Sequence, residues 1–280
     1  MSKNKPRYNE IIFSEVEINK IINMYKSNIS TVTIGKEFNV SHKTIAKVLD
    51  KQGIPRTGIS RRKYQIDEKY FDKIDNPNKA YILGFLYADG YNSLEKSTLS
   101  IALQEEDKYI LEFMKKELNS EKPLEFLDYS NKCNNGYHYK NQYRLTIFNK
   151  HICETLNKIG MVQNKSLILT FPDIDESLYS HFIRGYFDGD GSVSFSESNS
   201  NCIVTITSTI EFCSAIKEIL KNTININTGI YNASNKNGIT KVASISGKFQ
   251  VEKFGQFIYQ DANHYLQRKY DKFVQKYTAS

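Results

Sequence analysis

No run of apolar residues in this 280-residue chain approaches the length needed to cross a bilayer. The start, Met1 to Arg7, is charged and no apolar stretch comes after it, so a secretory leader is not expected. Cysteine is scarce. Cys133, Cys153, Cys202 and Cys213 form no C-x-x-C pair, and none has histidine neighbours at zinc spacing. A zinc module and a disulfide scaffold are both excluded on that pattern. Tryptophan is absent, which by itself decides nothing. Together these absences predict a soluble, intracellular protein with free, mostly buried thiols.

What is present suits a globular chain of one large and one small domain, or of two medium ones: 40% hydrophobic and 25% charged residues. The 19 tyrosines can pack and still offer a polar tip to a partner. Net charge is +7, but it is uneven. Residues 1–66 hold 13 Lys/Arg against 5 Asp/Glu, a net of +8, which leaves −1 for the rest. A basic segment of this size favours a polyanion partner; a solubilising terminus is the plainer alternative.

The first 60 residues predict three short helices. Ser14-Glu15-Val16-Glu17 is a capping box ahead of Val16, Ile18, Ile21, Ile22 and Tyr25 at helical spacing. A second helix is expected over Thr31 to Phe38, a turn at Asn39-Val40, and a third from the Ser41 cap to Lys51. Gly53 suits a left-handed stop, and Pro55 bars continuation. Residues 31–49 resemble a helix-turn-helix with Ile34, Phe38, Val40, Ile45, Val48 and Leu49 as its core. His42, Lys43, Thr44 and Lys47 would then face base edges and phosphates. A small protein–protein module is the alternative. Residues 54–76 read as a linker, with the stretch 61–76 separating this domain (1–60) from the rest of the chain. Its Arg56, Arg61, Arg62 and Lys63 could track a minor groove, or be a plain basic linker.

The remainder contains a repeat. Asn78-Lys-Ala-Tyr-Ile-Leu-Gly-Phe-Leu-Tyr-Ala-Asp-Gly90 matches Tyr179-Ser-His-Phe-Ile-Arg-Gly-Tyr-Phe-Asp-Gly-Asp-Gly191, with Asp89 aligned to Asp190 at an offset of 101. Each copy continues into an alternating stretch (Leu99 to Gln104; Ile203 to Ser208) and a helix. A second β-like region comes next (Tyr139 to Phe148; Lys241 to Ser246), then a closing helix and a lysine, Lys165 or Lys269. Two αββαββα units, at 77–175 and 176–280, paired about a pseudo-twofold axis, would bury their matching apolar faces.

Small residues four apart, Gly84/Ala88 and Gly185/Gly189, put a narrow face on each repeated helix, so the two can meet closely. Each helix then ends in Asp-Gly, the Gly acting as terminator. An acid there is electrostatically misplaced, because a helix C-terminus carries partial negative charge. Two such ends brought together repel unless a cation intervenes, and a divalent ion with oxygen ligands is the simplest remedy. One Asp-Gly would be only a turn signal; two in register, with the same elements after each, predict a metal site that hydrolyses a phosphodiester.

These two motifs resemble the signature helices of LAGLIDADG homing endonucleases in the single-chain, two-repeat form, over about residues 77–275. The resemblance implies an α+β fold in which a pseudo-twofold pair of αββαββα units forms β-saddles, here preceded by a small all-α helix-turn-helix domain. It implies Mg²⁺ (or Mn²⁺) held by Asp89 and Asp190 with main-chain carbonyls near Ala88 and Gly189. It implies a double-strand cut across the minor groove leaving 3′ overhangs in a long, near-asymmetric DNA target, made by a monomer that promotes the mobility of an intron or of its own gene. By the same resemblance, Gln104 would orient hydrolytic water with Ser208 as its shorter counterpart, while Lys165 and Lys269 would steady charge at the phosphate. Each lysine could instead be a surface cation. Tyr139, Asn141, Tyr143, Arg144, Ser194, Ser196, Tyr231 and Lys241 are the candidate base readers on the strands. Tyr87 stands where the family has its earlier acid, kept here as Asp188; Arg184 is expected to face away from the helix pair. A regulator that kept the fold and lost catalysis, and an intron RNA maturase, remain alternatives; a splicing intein lacks support because the nucleophile and terminal His-Asn are missing.

Overall fold

The computed structural model describes residues 11, 13–27, 29–54, 64–130, 133–134, 136–195, 202–233 and 240–277. The chain forms two compact units, Met1–Tyr64 and Gln65–Ser280.

The first unit holds α1 (Glu15–Lys26), α2 (Thr31–Glu37) and α3 (His42–Lys51). Each starts on a serine cap. Ser14 accepts from the Glu17 amide at 3.3 Å while Glu17 accepts from the Ser14 amide at 2.8 Å, the reciprocal box expected from the sequence. Ser30 and Ser41 accept from Thr33 and Thr44 amides at 3.1 and 3.2 Å. Asn39 turns the chain at φ 53° and Gly53 closes α3 at φ 63°. Ile21, Ile34, Ile45 and Leu49 are fully buried, with Phe38, Val40 and Val48 packed around them. That is the core read from the sequence, with Ile21 of α1 added.

The second unit begins inside the stretch expected to be a linker. Tyr70 and Phe71 are buried in the main core, and the Asp67 amide donates to Leu118 O at 2.8 Å. From Gln65 onward that stretch is therefore core. Arg56, Arg61, Arg62 and Lys63 lie outside the described residues.

Two repeats make up the rest of this unit. The first runs α4 (Pro77–Asp89), β1 (Tyr91–Ser93), β2 (Thr98–Gln104), α5 (Lys108–Glu117), β3 (Glu125–Leu127), a small hairpin of β4 (Cys133–Asn134) and β5 (Tyr137–His138), β6 (Gln142–Phe148) and α6 (Lys150–Ile159). The second runs α7 (Tyr179–Asp190), β7 (Gly191–Phe195), β8 (Cys202–Ser208), α8 (Ile210–Ile224), β9 (Gly229–Asn232), β10 (Lys241–Ser246), α9 (Lys248–Tyr259) and α10 (Gln267–Tyr277). Their antiparallel sheets have the same order, β1-β2-β6-β3 and β7-β8-β10-β9. Each sheet buries alternate residues: Leu99, Ile101 and Leu103 in β2, and Cys202, Val204, Ile206 and Ser208 in β8. The other face is left more open. One continuous core joins both sheets and both central helices.

Among the described residues no helix is long and apolar enough to cross a membrane. Cys153, Cys202 and Cys213 are buried free thiols, while Cys133 is exposed.

Candidate active site

The site is built on the contact between α4 and α7. A β-carbon on Gly84 would lie 2.0 Å from Phe182 O and 2.9 Å from Tyr186 N; one on Gly185 would lie 2.0 Å from Tyr81 O and 2.9 Å from Phe85 N. A shift of 101 residues turns the first contact into the second, which is the pseudo-twofold relation in its most local form. A β-carbon on Gly189 would likewise lie 2.2 Å from the Ala88 methyl and 3.1 Å from Asp89 Oδ2. The small-residue face read from the sequence is thus the helix interface.

The Asp-Gly glycines serve a different purpose from the one expected. Gly90 and Gly191 have φ −74° and −86°, extended rather than left-handed. A β-carbon on Gly90 would lie 2.6 Å from both Leu86 O and Met161 Cε, and one on Gly191 2.1 Å from the Phe187 ring. Space, not backbone conformation, demands glycine there.

Asp89 and Asp190 therefore stand at two abutting helix ends, and both are exposed. Surrounding protein first, and then the Asp190 charge, push Asp89 up to about 6. Desolvation also raises Asp190, against the pull of Lys165, Lys269 and the Tyr186 hydroxyl. Burial is the first cause in both, the Asp190 charge adds to it at Asp89, and Lys165 and Lys269 offset part of the rise. Lys269 is buried and donates to Phe187 O (2.6 Å), Asp188 O (2.7 Å), Gly189 O (3.2 Å) and Gly191 O (2.6 Å). It neutralises the C-terminal dipole of α7. Burial lowers its own pKa to about 8. Lys165, half-buried, donates to Gly90 O at 2.6 Å. Both ammoniums lie on carbonyls at the helix ends.

The donor set suits a hard divalent cation. It offers two solvent-reachable carboxylates and no cluster of three or more His, Cys, Asp or Glu among the described residues. Mg²⁺ tolerates such a sparse protein shell because it keeps waters and takes substrate phosphate. Gly189 O, expected near the ion, already accepts from Lys269.

The expected water-orienting pair does not hold as a pair. Tyr91 pairs with Ser100 and Ser192 with Thr205, so equivalent strand positions differ by 105 residues. Gln104 lies on the open face of β2, whereas Ser208 lies on the core face of β8 at 6% exposure. A one-residue slip in register moves a side chain to the other face. By register Ser208 matches buried Leu103, and Gln104 matches Thr209. The Thr209 hydroxyl is engaged in capping α8 and in donating to Leu169 O.

Three further expectations change. Arg184 does not face away: it is 2% exposed, donates to His264 O and Ile258 O at 3.0 and 2.9 Å, and its guanidinium lies 5.0 Å over the Tyr81 ring of α4. Tyr143 sits on the core side of β6, against Phe126 and under Lys108. Lys241 shares the core-side register of Ala243 and Ile245 and donates to Asn232 Oδ1 at 2.6 Å. Arg144, Ser194 and Tyr231 do lie on the open faces, Arg144 with Glu125 at 3.8 Å. Tyr139 and Asn141 precede β6 rather than belonging to it, and Asn141 Oδ1 accepts from the Tyr129 amide at 2.9 Å. Ser196 lies outside the described residues. In the first unit His42, Lys43 and Lys47 are exposed, while the Thr44 hydroxyl lies 3.0 Å from Ser41 Oγ at the head of α3.

Sequence reasoning missed Gln142, Thr205 and Thr207, which share the open faces, and the pair Asp107–Arg268. Asp107 is buried and accepts from Arg268 Nε at 3.1 Å, joining the end of the first sheet to α10; the Arg268 charge reaches Asp89. Period-two alternation could have found the first three. The acidic run Glu105-Glu106-Asp107 directly after β2 was the visible signal for the last.

Residues 177–258 match the LAGLIDADG-like domain family. No curated protein sequence matches the chain. Among solved structures, the homing endonuclease I-WcaI bound to its DNA recognition sequence is similar at TM-score 0.51 and 15% identity, covering 80% of this chain and 96% of that one. The homing endonuclease I-GzeII in complex with its DNA target gives 0.46 at 13% identity, covering 72% and 89%. The N-terminal LAGLIDADG domain of DUF199/WhiA gives 0.43 at 20% identity, covering 73% and 92%. Of these three only the first carries an argument, and at that identity the argument is about fold.

Proposed function

Because the chain has the two-repeat LAGLIDADG fold and its second repeat is a LAGLIDADG-like domain, we propose that it is a sequence-specific double-strand DNA endonuclease. The observation that carries this reading is the pair Asp89 and Asp190, exposed at two helix ends that pack against each other. Retaining two like charges at two negative ends costs stability, and a binding role for the fold alone would not require it. Mg²⁺ or Mn²⁺, held by these carboxylates with the neighbouring main-chain carbonyls, would supply activated water and offset charge on the phosphate.

The chain's own residues do the rest. Asp89 and Asp190 offer one carboxylate to each half of the site, so two strands can be cut across the minor groove, leaving 3′ overhangs. Lys165 and Lys269 hold the helix ends and keep the aspartates ionised; Lys165, with its single carbonyl partner, is the better placed to reach a phosphate. Arg144, Ser194 and Tyr231 read DNA from the open sheet faces together with Gln142, Thr205 and Thr207. His42, Lys43 and Lys47 give the helix-turn-helix unit a second DNA contact. A monomer with two unlike halves reads a long, near-asymmetric duplex inside the cell, with affinity that falls steeply with salt.

A library of plasmids carrying randomised target segments tests this with Mg²⁺. The expected result is linearisation at one long site, lost on chelation and reduced by more than about a hundredfold in Asp89→Asn and in Asp190→Asn. A DNA-binding regulator without cutting is the second reading, favoured by one observation: the Lys269 ammonium is fully engaged by carbonyls. Tight binding to selected duplexes with no cut strand in Mg²⁺ or Mn²⁺ would establish that reading instead.

A further inference from the structure

Strand register sets the open faces of the two sheets against each other residue by residue. In the first sheet Glu125, Arg144 and Ala102 stand side by side across three strands. The second sheet has Tyr231, Val242 and Thr207 in the same three places. The next row of the first sheet pairs Gln142 with Gln104. Its counterpart in the second ends at Thr209, which is buried and occupied in capping α8. The long polar side chains of one face are thus replaced by methyl groups and a ring on the other.

Among the described residues the open face of the second sheet carries no charged side chain. Ile203, Thr205, Thr207 and Val242 all end there in methyl groups. Tyr231 is 64% exposed, and its ring lies along the face: a β-carbon on Gly229 would be 2.6 Å from both its Cε2 and its hydroxyl oxygen.

Base edges in the major groove ask for different partners. Guanine presents two acceptors beside the amino donor of its cytosine, adenine presents an acceptor and a donor, and thymine alone carries a methyl group. Arg144 and Glu125, 3.8 Å apart, set a forked donor beside an acceptor, which complements a G·C pair. Gln142 offers the donor and acceptor of one amide, which complements adenine. A methyl-tipped face complements thymine, whose methyl it can shield from water.

We propose that the two sheets read half-sites of unlike composition. The first selects a G·C pair and adenine through Arg144, Glu125 and Gln142; the second selects thymines by methyl contact through Thr205, Thr207, Val242 and Tyr231. This rests on the endonuclease reading, of which it needs only the DNA-binding part. The second half-site is also the more tolerant, because burying one methyl is worth less than a bidentate hydrogen-bonded pair.

The test selects duplexes from a randomised library with the full chain in chelator, so that binding is read without cutting. The selected duplexes hold one block with a fixed G·C pair and adenine, and a separate thymine-rich block. Arg144→Ala relaxes the G·C position about tenfold and leaves the thymine block unaltered. Deoxyuridine in place of thymine removes only methyl groups and leaves the protein untouched. In the thymine block it weakens binding about fourfold per methyl, and in the other block less than about twofold. The double variant Thr207→Ser, Val242→Ala makes the thymine block indifferent to deoxyuridine, which assigns that block to the second sheet. Equal sensitivity of both blocks to deoxyuridine, or sensitivity that survives the double variant, overturns the proposal. Failure to select any sequence overturns it together with the DNA reading. Selected duplexes that are never cut in Mg²⁺ refute the endonuclease reading alone, since the half-site assignment is read from binding.

Discussion

Tyr87 and Asp188 occupy the same turn of the two central helices and connect them to their surroundings with opposite polarity. Tyr87 donates to Ile159 O at 2.7 Å, the C-terminal end of α6. Asp188 accepts from the Leu266 amide at 2.8 Å, just before α10, and from Tyr81 across the helix pair at 2.9 Å. A donor suits a helix end that presents carbonyls, and an acceptor suits a segment that presents an amide. The lysines differ in the same sense: Lys269 is buried on four carbonyls, Lys165 half-exposed on one. The repeats share a fold and a pair of acids, yet at this turn the second half uses a buried carboxylate and the first a neutral hydroxyl. Symmetry is kept at the axis, where backbones touch, and relaxed one turn away.

That comparison can be broken from the axis outward. Gly84→Ala and Gly185→Ala should be equally severe, about 3 kcal/mol or more each, because both place a methyl 2.0 Å from a backbone oxygen. Urea midpoints would show it, and a clear inequality would mean the pseudo-twofold contact is not the stabilising one.

Next in size, Asp188→Ala should cost about 3 kcal/mol, since it leaves the Leu266 amide and the Tyr81 hydroxyl without their acceptor in the core and removes the carboxylate charge near Arg184. Tyr87→Phe should cost only about 1 kcal/mol for its single bond. Similar values for the two would contradict that difference in polarity.

Lys269→Met should cost about 2 kcal/mol and Lys165→Met less than half of that, because only the first removes a buried charge from a helix C-terminus. Thermal melting of the two variants side by side decides it.

The smallest effect concerns His181. Burial, and then the Arg184 charge, lower its pKa to about 4, and its Nδ1 accepts from Arg184 at 2.9 Å. A depressed folded-state value means the unfolded chain takes up the proton first. Its contribution to stability is complete above about 6.5 and is lost as pH falls toward 4. His181→Asn should flatten denaturant midpoints over that window and leave the first-repeat variants' pH profiles unaltered.

Much of this was legible in the chain. Periodicity and serine caps give three N-terminal helices almost to the residue, because caps are local hydrogen bonds between neighbours in sequence. The repeat gives Asp89 and Asp190 and the small faces of α4 and α7. What failed was register and partner. Ser208 aligns with Gln104 by letter but not by face, since the offset changes from 101 in the helices to 105 in the strands. Lys241 and Tyr143 fall on the core-side positions of their own strands, which alternation with Ala243 and Ile245 and with Leu145 and Ile147 decides. Arg184 reads as facing away from the helix pair until its acceptors, Ile258 O and His264 O, arrive from more than 70 residues away.

The sequence by itself determined the repeat, the two helix-end acids, the glycines between the helices and the basic N-terminal unit. These are set by spacing and side-chain size along one element, which the order of residues records directly. Tertiary structure decided what stands behind each acid, lysine on carbonyls in both halves, and which residues share each open sheet face. Those choices depend on which strand face meets which helix. That meeting is made by burial across the whole core and is written in no single stretch of chain.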